Sequence, residues 1–191
     1  MNWIEVLMIA VGISMEVFAA VECQGALVVR INKKHLIGMI ALVSACQLIS
    51  LSLGYVSARL LMYYSVRKQQ IQMGRVIAVI IFLCMAVRLI VKAWRNEAID
   101  ERREDGLAVK RFLKLSILNG IYIFLIGAAF EFLGTNMLLL LVILLMITVL
   151  CVVSGVYTGY HFGYEQKTKV YLVGAVLLVI SGIDIVIRYI L

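Results

Sequence analysis

The chain has 191 residues, 64% of them hydrophobic and 15% charged, with a mean hydropathy of +1.05, against about 45–50% apolar and about 25% charged in a soluble domain. A soluble globular protein is excluded. The formal charge of +7 does not point to nucleic acid, because the basic residues sit in loops between apolar segments rather than along one face. Membrane orientation accounts for it, and the expected partner is the lipid bilayer.

The opening Met1-Asn2-Trp3-Ile4-Glu5 lacks the Lys/Arg region of a secretory signal, and the long apolar run behind it reads as a retained first span. Charge-poor stretches follow one another at 3–29, 36–58, 76–94, 112–133, 136–160 and 170–191, each long enough to cross a core of about 30 Å at 1.5 Å per residue. All six are expected to be helices, since lipid offers the backbone no hydrogen-bond partner. Gly134-Thr135-Asn136 is so short a link that the fourth and fifth spans are expected to form an antiparallel hairpin. With no proline in the chain, any break within a span must come from glycine or polar side chains. Cys23, Cys46, Cys84 and Cys151 lie in different apolar segments without a C-x-x-C pair, and read as small buried hydrophobes.

The most hydrophilic stretch, 95–111, mixes Glu97, Asp100, Glu101, Glu104 and Asp105 with arginines and reads as a charged cytoplasmic linker. It divides the chain into 1–94 and 112–191, three spans each, and an odd number per half turns the halves over relative to one another. The expected fold is an all-α membrane protein of six transmembrane helices arranged as two inverted three-helix repeats. Gly54-Tyr55-Val56-Ser57 echoes Gly155-Val156-Tyr157-Thr158, and the segment around Arg88 echoes that around Asp184. With both termini outside, twelve Lys and Arg fall on the inner side, Lys92 among them as a loop residue, and five on the outer side, the direction the positive-inside rule requires.

Ionisable groups inside spans cost roughly 2.5–3.5 kcal/mol each on insertion scales and are functional candidates by default. They are Glu16, Glu22, Arg88, Glu131 and Asp184. Glu16 falls within about 1.5 Å of the bilayer midplane, at a depth shared with Gln47, Asn119 and Tyr122. Gly12, Ala19, Ala20 and Cys23 surround it with small residues, so this face should pack on other helices. A carboxylate with neutral amide oxygens suits a hard or borderline divalent cation such as Mn²⁺ or Mg²⁺, which makes Glu16, Gln47 and Asn119 the candidate metal ligands. The residues leave a proton equally open, since a buried Glu can be a proton carrier. Met15, Glu22, Arg88, Tyr122 and Asp184 complete a candidate pathway. Glu22, roughly 9 Å toward the cytoplasm from Glu16, either pairs with Arg88 or lines an exit. Asp184 and Arg188, four residues apart, form a natural intrahelical pair, and Glu131 lies near the outer interface. No embedded His pair, paired aspartates, Ser/Lys dyad or C-x-x-C is present to support an enzyme, and His35 and His161 lie near span ends.

Gly12-Ile13-Ser14-Met15-Glu16-Val17-Phe18-Ala19-Ala20 with Gly25-Ala26 resembles the first-helix motif of the MntP-type manganese efflux pumps, approximately G-x-S-M-D-A-F-A-x. Ala45-Cys46-Gln47 with Gly54-Tyr55, the segment at Arg88, Gly155 to Gly159 and Gly174 to Ile185 resemble later helices of the same family. The resemblance implies a six-helix exporter of Mn²⁺ in the bacterial cytoplasmic (inner) membrane, with Mn²⁺ as transported substrate and no further cofactor. It also implies departures: Glu16 replaces the family's Asp, Tyr122 stands where a second Asp is expected, Gln24 replaces a lysine and Leu51 a proline. The expected function is secondary-type export of a divalent cation through a midplane site centred on Glu16. The alternative is a paralogue that does not transport, serving as a scaffold, or that moves another small cation or solute. A homodimer is open to a chain of this size.

Overall fold

The computed structural model describes residues 3–27, 33–63, 68–95, 109–163 and 166–189. They form six helices: α1 (Trp3–Leu27), α2 (Lys33–Tyr63), α3 (Lys68–Arg95), α4 (Val109–Phe132), α5 (Met137–Phe162) and α6 (Lys167–Tyr189). Even α6, the shortest at 23 residues, is about 35 Å long at 1.5 Å per residue. Among the described residues, α1, α2, α3, α5 and α6 are long and apolar enough to cross a membrane, and α4 adds a shorter apolar stretch at Asn119–Phe132. The protein is a multi-pass helical membrane protein. Most of the charged linker expected at 95–111 lies outside the described residues.

α2 and α3 are longer than the apolar runs that announced them, Lys33–Tyr63 against 36–58 and Lys68–Arg95 against 76–94, because a helix continues past the bilayer wherever its backbone can still bond to itself. Arg59, Arg75 and Lys92, expected in loops, are therefore helical residues of α2 and α3. Between α4 and α5 the chain turns through Gly134, whose φ of 66° suits glycine, and Asn136 caps α5 by accepting a hydrogen bond from the Leu138 amide. The turn is as short as expected, yet α4 and α5 do not pack along one another. Instead α4 packs on α2 and α3, while α1 packs on α5 and α6; α3 meets α6, and α2 meets α5.

Backbone proximity explains the two most extensive of these contacts. A Cβ at Gly54 of α2 would lie 1.9 Å from the Phe124 carbonyl oxygen of α4, and one at Gly127 of α4 would lie 2.3 Å from that of Leu51. On the other side, Gly25 of α1 meets Val156 of α5 and Gly159 of α5 meets the Glu22 carbonyl in the same manner, at 2.5 and 2.1 Å. Without an aqueous driving force inside lipid, such close backbone approach is how helices gain dispersion contact.

Side chains divide accordingly. On α5, Leu140, Leu144, Thr148, Val152 and Gly155 face inward, while Leu138, Val142, Met146 and Leu150 face outward, a helical stripe suited to lipid. The main core joins α1, α3, α4 and α6 around Ile9, Ile13, Leu89 and Leu178, with Phe82 and Phe130 edge to face at 5.7 Å. Some hydroxyls inside the spans turn back on their own helices: Ser57 donates to Gly54 O and Ser181 to Leu177 O, both at 2.8 Å. At the far end Arg188 bonds Asp184 (2.9 Å), the expected intrahelical pair, and reaches Glu5 (3.3 Å), fastening the end of α6 to the start of α1. All four cysteines are free, and they are less uniformly enclosed than expected: Cys151 is buried, whereas Cys84 faces outward.

Candidate functional site

α1 is central because its small and β-branched residues let α5 and α6 approach it on adjoining faces. Gly12 and Met15 contact α6 at Gly174, so Met15 is a packing residue of the α1–α6 seam. This packing leaves Glu16, one residue on, aimed at α3, with 4% of its surface exposed.

Both carboxylate oxygens of Glu16 are taken. Arg88 Nη1 donates to Oε2 at 2.7 Å, and Lys92 Nζ donates to Oε1 at 2.5 Å. Arg88 and Lys92 are four residues apart on α3 and so share a face; one buried carboxylate is gripped by successive turns of another helix. Above it the Arg88 guanidinium lies over the Tyr122 ring of α4, 3.4 Å from the centroid, and the Lys92 ammonium lies 6.0 Å from the Tyr171 ring centroid of α6. Four helices thus converge on one cluster carrying one formal negative and two formal positive charges. Arg88 is paired with Glu16 and not with Glu22.

The other candidates are placed separately. Gln47 is buried between α2 and α5, where its Oε1 accepts a hydrogen bond from Thr148 Oγ1 at 2.5 Å and its Nε2 has no partner among the described residues. Asn119 is half-buried on α4, one turn before Tyr122, with a buried Oδ1 that likewise lacks a partner among the described residues. Neither amide bonds to Glu16 among the described residues. Glu22 is fully buried; neither of its oxygens makes a well-formed hydrogen bond among the described residues, and the Gln166 backbone N–H is the donor that comes near its carboxylate. Asp184 is engaged by Arg188.

As it stands, the cluster holds no open metal-ligating set: among the described residues no three His, Cys, Asp or Glu are grouped where they could share an ion. Both oxygens of the Glu16 carboxylate are occupied by Arg88 and Lys92, so neither is open to a further ligand unless one of these cations leaves. Sequence reasoning missed Lys92, Tyr171 and Thr148. The signal for Lys92 was available, since it falls within the apolar run 76–94 and its four-residue spacing from Arg88 puts both on one helix face.

The family model Mntp, described as "Putative manganese efflux pump", matches residues 30–186. No curated protein and no solved structure matches. The matched region holds Gln47, Arg88, Lys92, Asn119, Tyr122 and Asp184 and begins after α1, so Glu16 and the motif around it stand outside the match. With most of the chain matched, from before α2 into α6, the protein belongs to the Mntp family of manganese efflux pumps.

Proposed function

We propose that this chain is a secondary-type exporter that carries a divalent cation, Mn²⁺ in the first place, from the cytoplasm outward, with Glu16 as its charged ligand. The observation that carries the reading is the buried Glu16 carboxylate at mid-helix, whose charge is held entirely by side chains of another helix: a carboxylate so placed changes partner when α1 and α3 move apart. Asn119 Oδ1 and, once released from Thr148, Gln47 Oε1 supply neutral oxygens at similar depth. Glu22 lies on the cytoplasmic side of Glu16 and lines the approach.

The reading includes two inverted three-helix repeats. The helix contacts support it, for exchanging the halves (α1 with α4, α2 with α5, α3 with α6) turns the α2–α4 contact into α5–α1 and the α3–α4 contact into α6–α1. The same exchange brings Glu16, two residues before Phe18 at the Gly155 crossing, onto Tyr122, two residues before Phe124 at the Gly54 crossing. Rocking of the α1–α5–α6 group against the α4–α2–α3 group about this level would part α1 from α3 and open the site to each side in turn. The reading places the chain in a bacterial inner membrane, as the family likeness suggests, with both termini outside, as the charge count supports.

A second reading, a substrate-switched or non-transporting relative, is favoured by the surplus positive charge of the cluster and by Tyr122 at a position where the resemblance implies an acid. One experiment separates them. A manganese-sensitive bacterium lacking its own exporter expresses wild type or Glu16→Ala, and intracellular manganese is measured. Rescue that is lost in Glu16→Ala is expected; no rescue by a well-expressed wild type favours the second reading.

A further inference from the structure

We infer that Lys92 is the resident counter-cation of the empty carrier: it leaves Glu16 when a cation loads and returns when the cation departs, so that Glu16 itself takes up no proton in the return step. The inference rests on the reading of Glu16 as the transport ligand and adds to it the means of the return step.

The two basic partners of Glu16 are held differently. Arg88 has a second anchor in the Tyr122 ring at 3.4 Å, and its side chain is 20% exposed. Lys92 is 36% exposed at the side chain and meets Tyr171 only at 6.0 Å, the outer limit for a cation over a ring. It also lies three residues from the end of α3, where a lysine can keep its stem on apolar surface and carry its ammonium to water. Arginine's planar fork stays with a carboxylate and a ring, while lysine is a point charge on a flexible stem. Lys92 is therefore the partner that exchanges.

Its departure leaves Glu16 and Arg88 as a neutral pair with Oε1 open, which is a vacancy for a cation. Release outward recreates a bare carboxylate oxygen within the membrane, and that charge must be covered before the empty protein can turn back. A proton is one cover; Lys92, already bonded to Oε1, is the other. Because the ammonium competes for the same oxygen, it also drives the cation off, the need of an exporter at its outer face.

The test uses the purified full chain in liposomes at equal pH on both sides, with the membrane potential clamped by potassium and valinomycin and Mn²⁺ as the probe. Two rates are measured: net Mn²⁺ efflux into Mn²⁺-free medium, and exchange of labelled for unlabelled Mn²⁺ at equal concentration, which never requires the empty form to turn. Wild type is expected to show both, and Lys92→Gln to lower the ratio of net flux to exchange at least tenfold, with Lys92→Arg recovering part of it. An unchanged ratio in Lys92→Gln, or loss of both rates in a variant that elutes as folded protein, overturns the inference while leaving the transport reading standing. Wild type with neither rate overturns the transport reading, and the role of Lys92 falls with it.

Discussion

The Tyr122 ring lies beneath the Arg88 guanidinium, 3.4 Å from its centroid, so the side chain that stands where the resemblance implies an acid meets the same arginine through its π face. A carboxylate there would neutralise Arg88; a ring holds it without cancelling its charge. The cluster consequently carries one more positive charge than negative, and Arg88 remains committed to Glu16. Tyr122→Asp is expected to draw Arg88 away and tighten Mn²⁺ binding about tenfold, equivalent to about 1.4 kcal/mol. Titration calorimetry on the purified variant checks this, and unchanged affinity would show that Arg88 does not limit access to Glu16.

Glu16→Ala strands two cations. Removing one partner of a buried ion pair costs about 3–5 kcal/mol; the partial exposure of Lys92, 36% at its side chain, lets it find water and puts the expected loss near the lower end. Thermal unfolding in detergent should show a clear drop for Glu16→Ala, and Glu16→Ala combined with Arg88→Leu should regain part of it. A double variant less stable than the sum of the singles would contradict the pairing.

The helix seams make a sharper contrast. Gly54→Ala would press a methyl within 1.9 Å of a backbone oxygen that cannot swing aside, whereas Gly38, also within α2, has nothing within 4 Å of its would-be Cβ. Gly54→Ala should splay α2 from α4 and abolish a monodisperse gel-filtration peak. Gly38→Ala should instead stabilise by roughly 0.5–1 kcal/mol through helix propensity, measurable as a small rise in melting temperature.

Between α2 and α5, the Thr148–Gln47 hydrogen bond is of the kind whose coupling energies in a membrane protein average about 0.6 kcal/mol. A double-mutant cycle with Thr148→Val and Gln47→Leu should return a coupling of that size. A value near zero would indicate that both groups satisfy themselves elsewhere once separated.

The helices were legible in the sequence because hydropathy is a property of local composition, and six runs became six helices. Helix ends were not, since Lys92 and Arg59 are polar residues on a backbone that has no reason to stop. The splaying of α4 from α5 was hidden too: a three-residue link constrains only the chain's reversal, while the partners of each helix are chosen by glycine notches distributed across distant segments. Within the site, Glu16 and Arg88 stood out as charges in apolar runs. Their mutual pairing depends on α1 lying against α6 and α6 against α3, long-range packing that no local pattern encodes.

The interleaving of α1 with α5 and α6 bears on how the chain is made. α1 enters the membrane before the five helices that follow it, with Glu16 among apolar residues and its basic partners not yet made, a charge costing roughly 2.5–3.5 kcal/mol on insertion scales. Its basic partners arrive with α3, some seventy residues later, and the surfaces that enclose it arrive last, with α5 and α6. α1 must therefore wait unassembled through most of synthesis, and a chain truncated before α5 retains a first helix with no permanent place to bury its carboxylate, a mark by which membrane quality control could tell unfinished copies from complete ones.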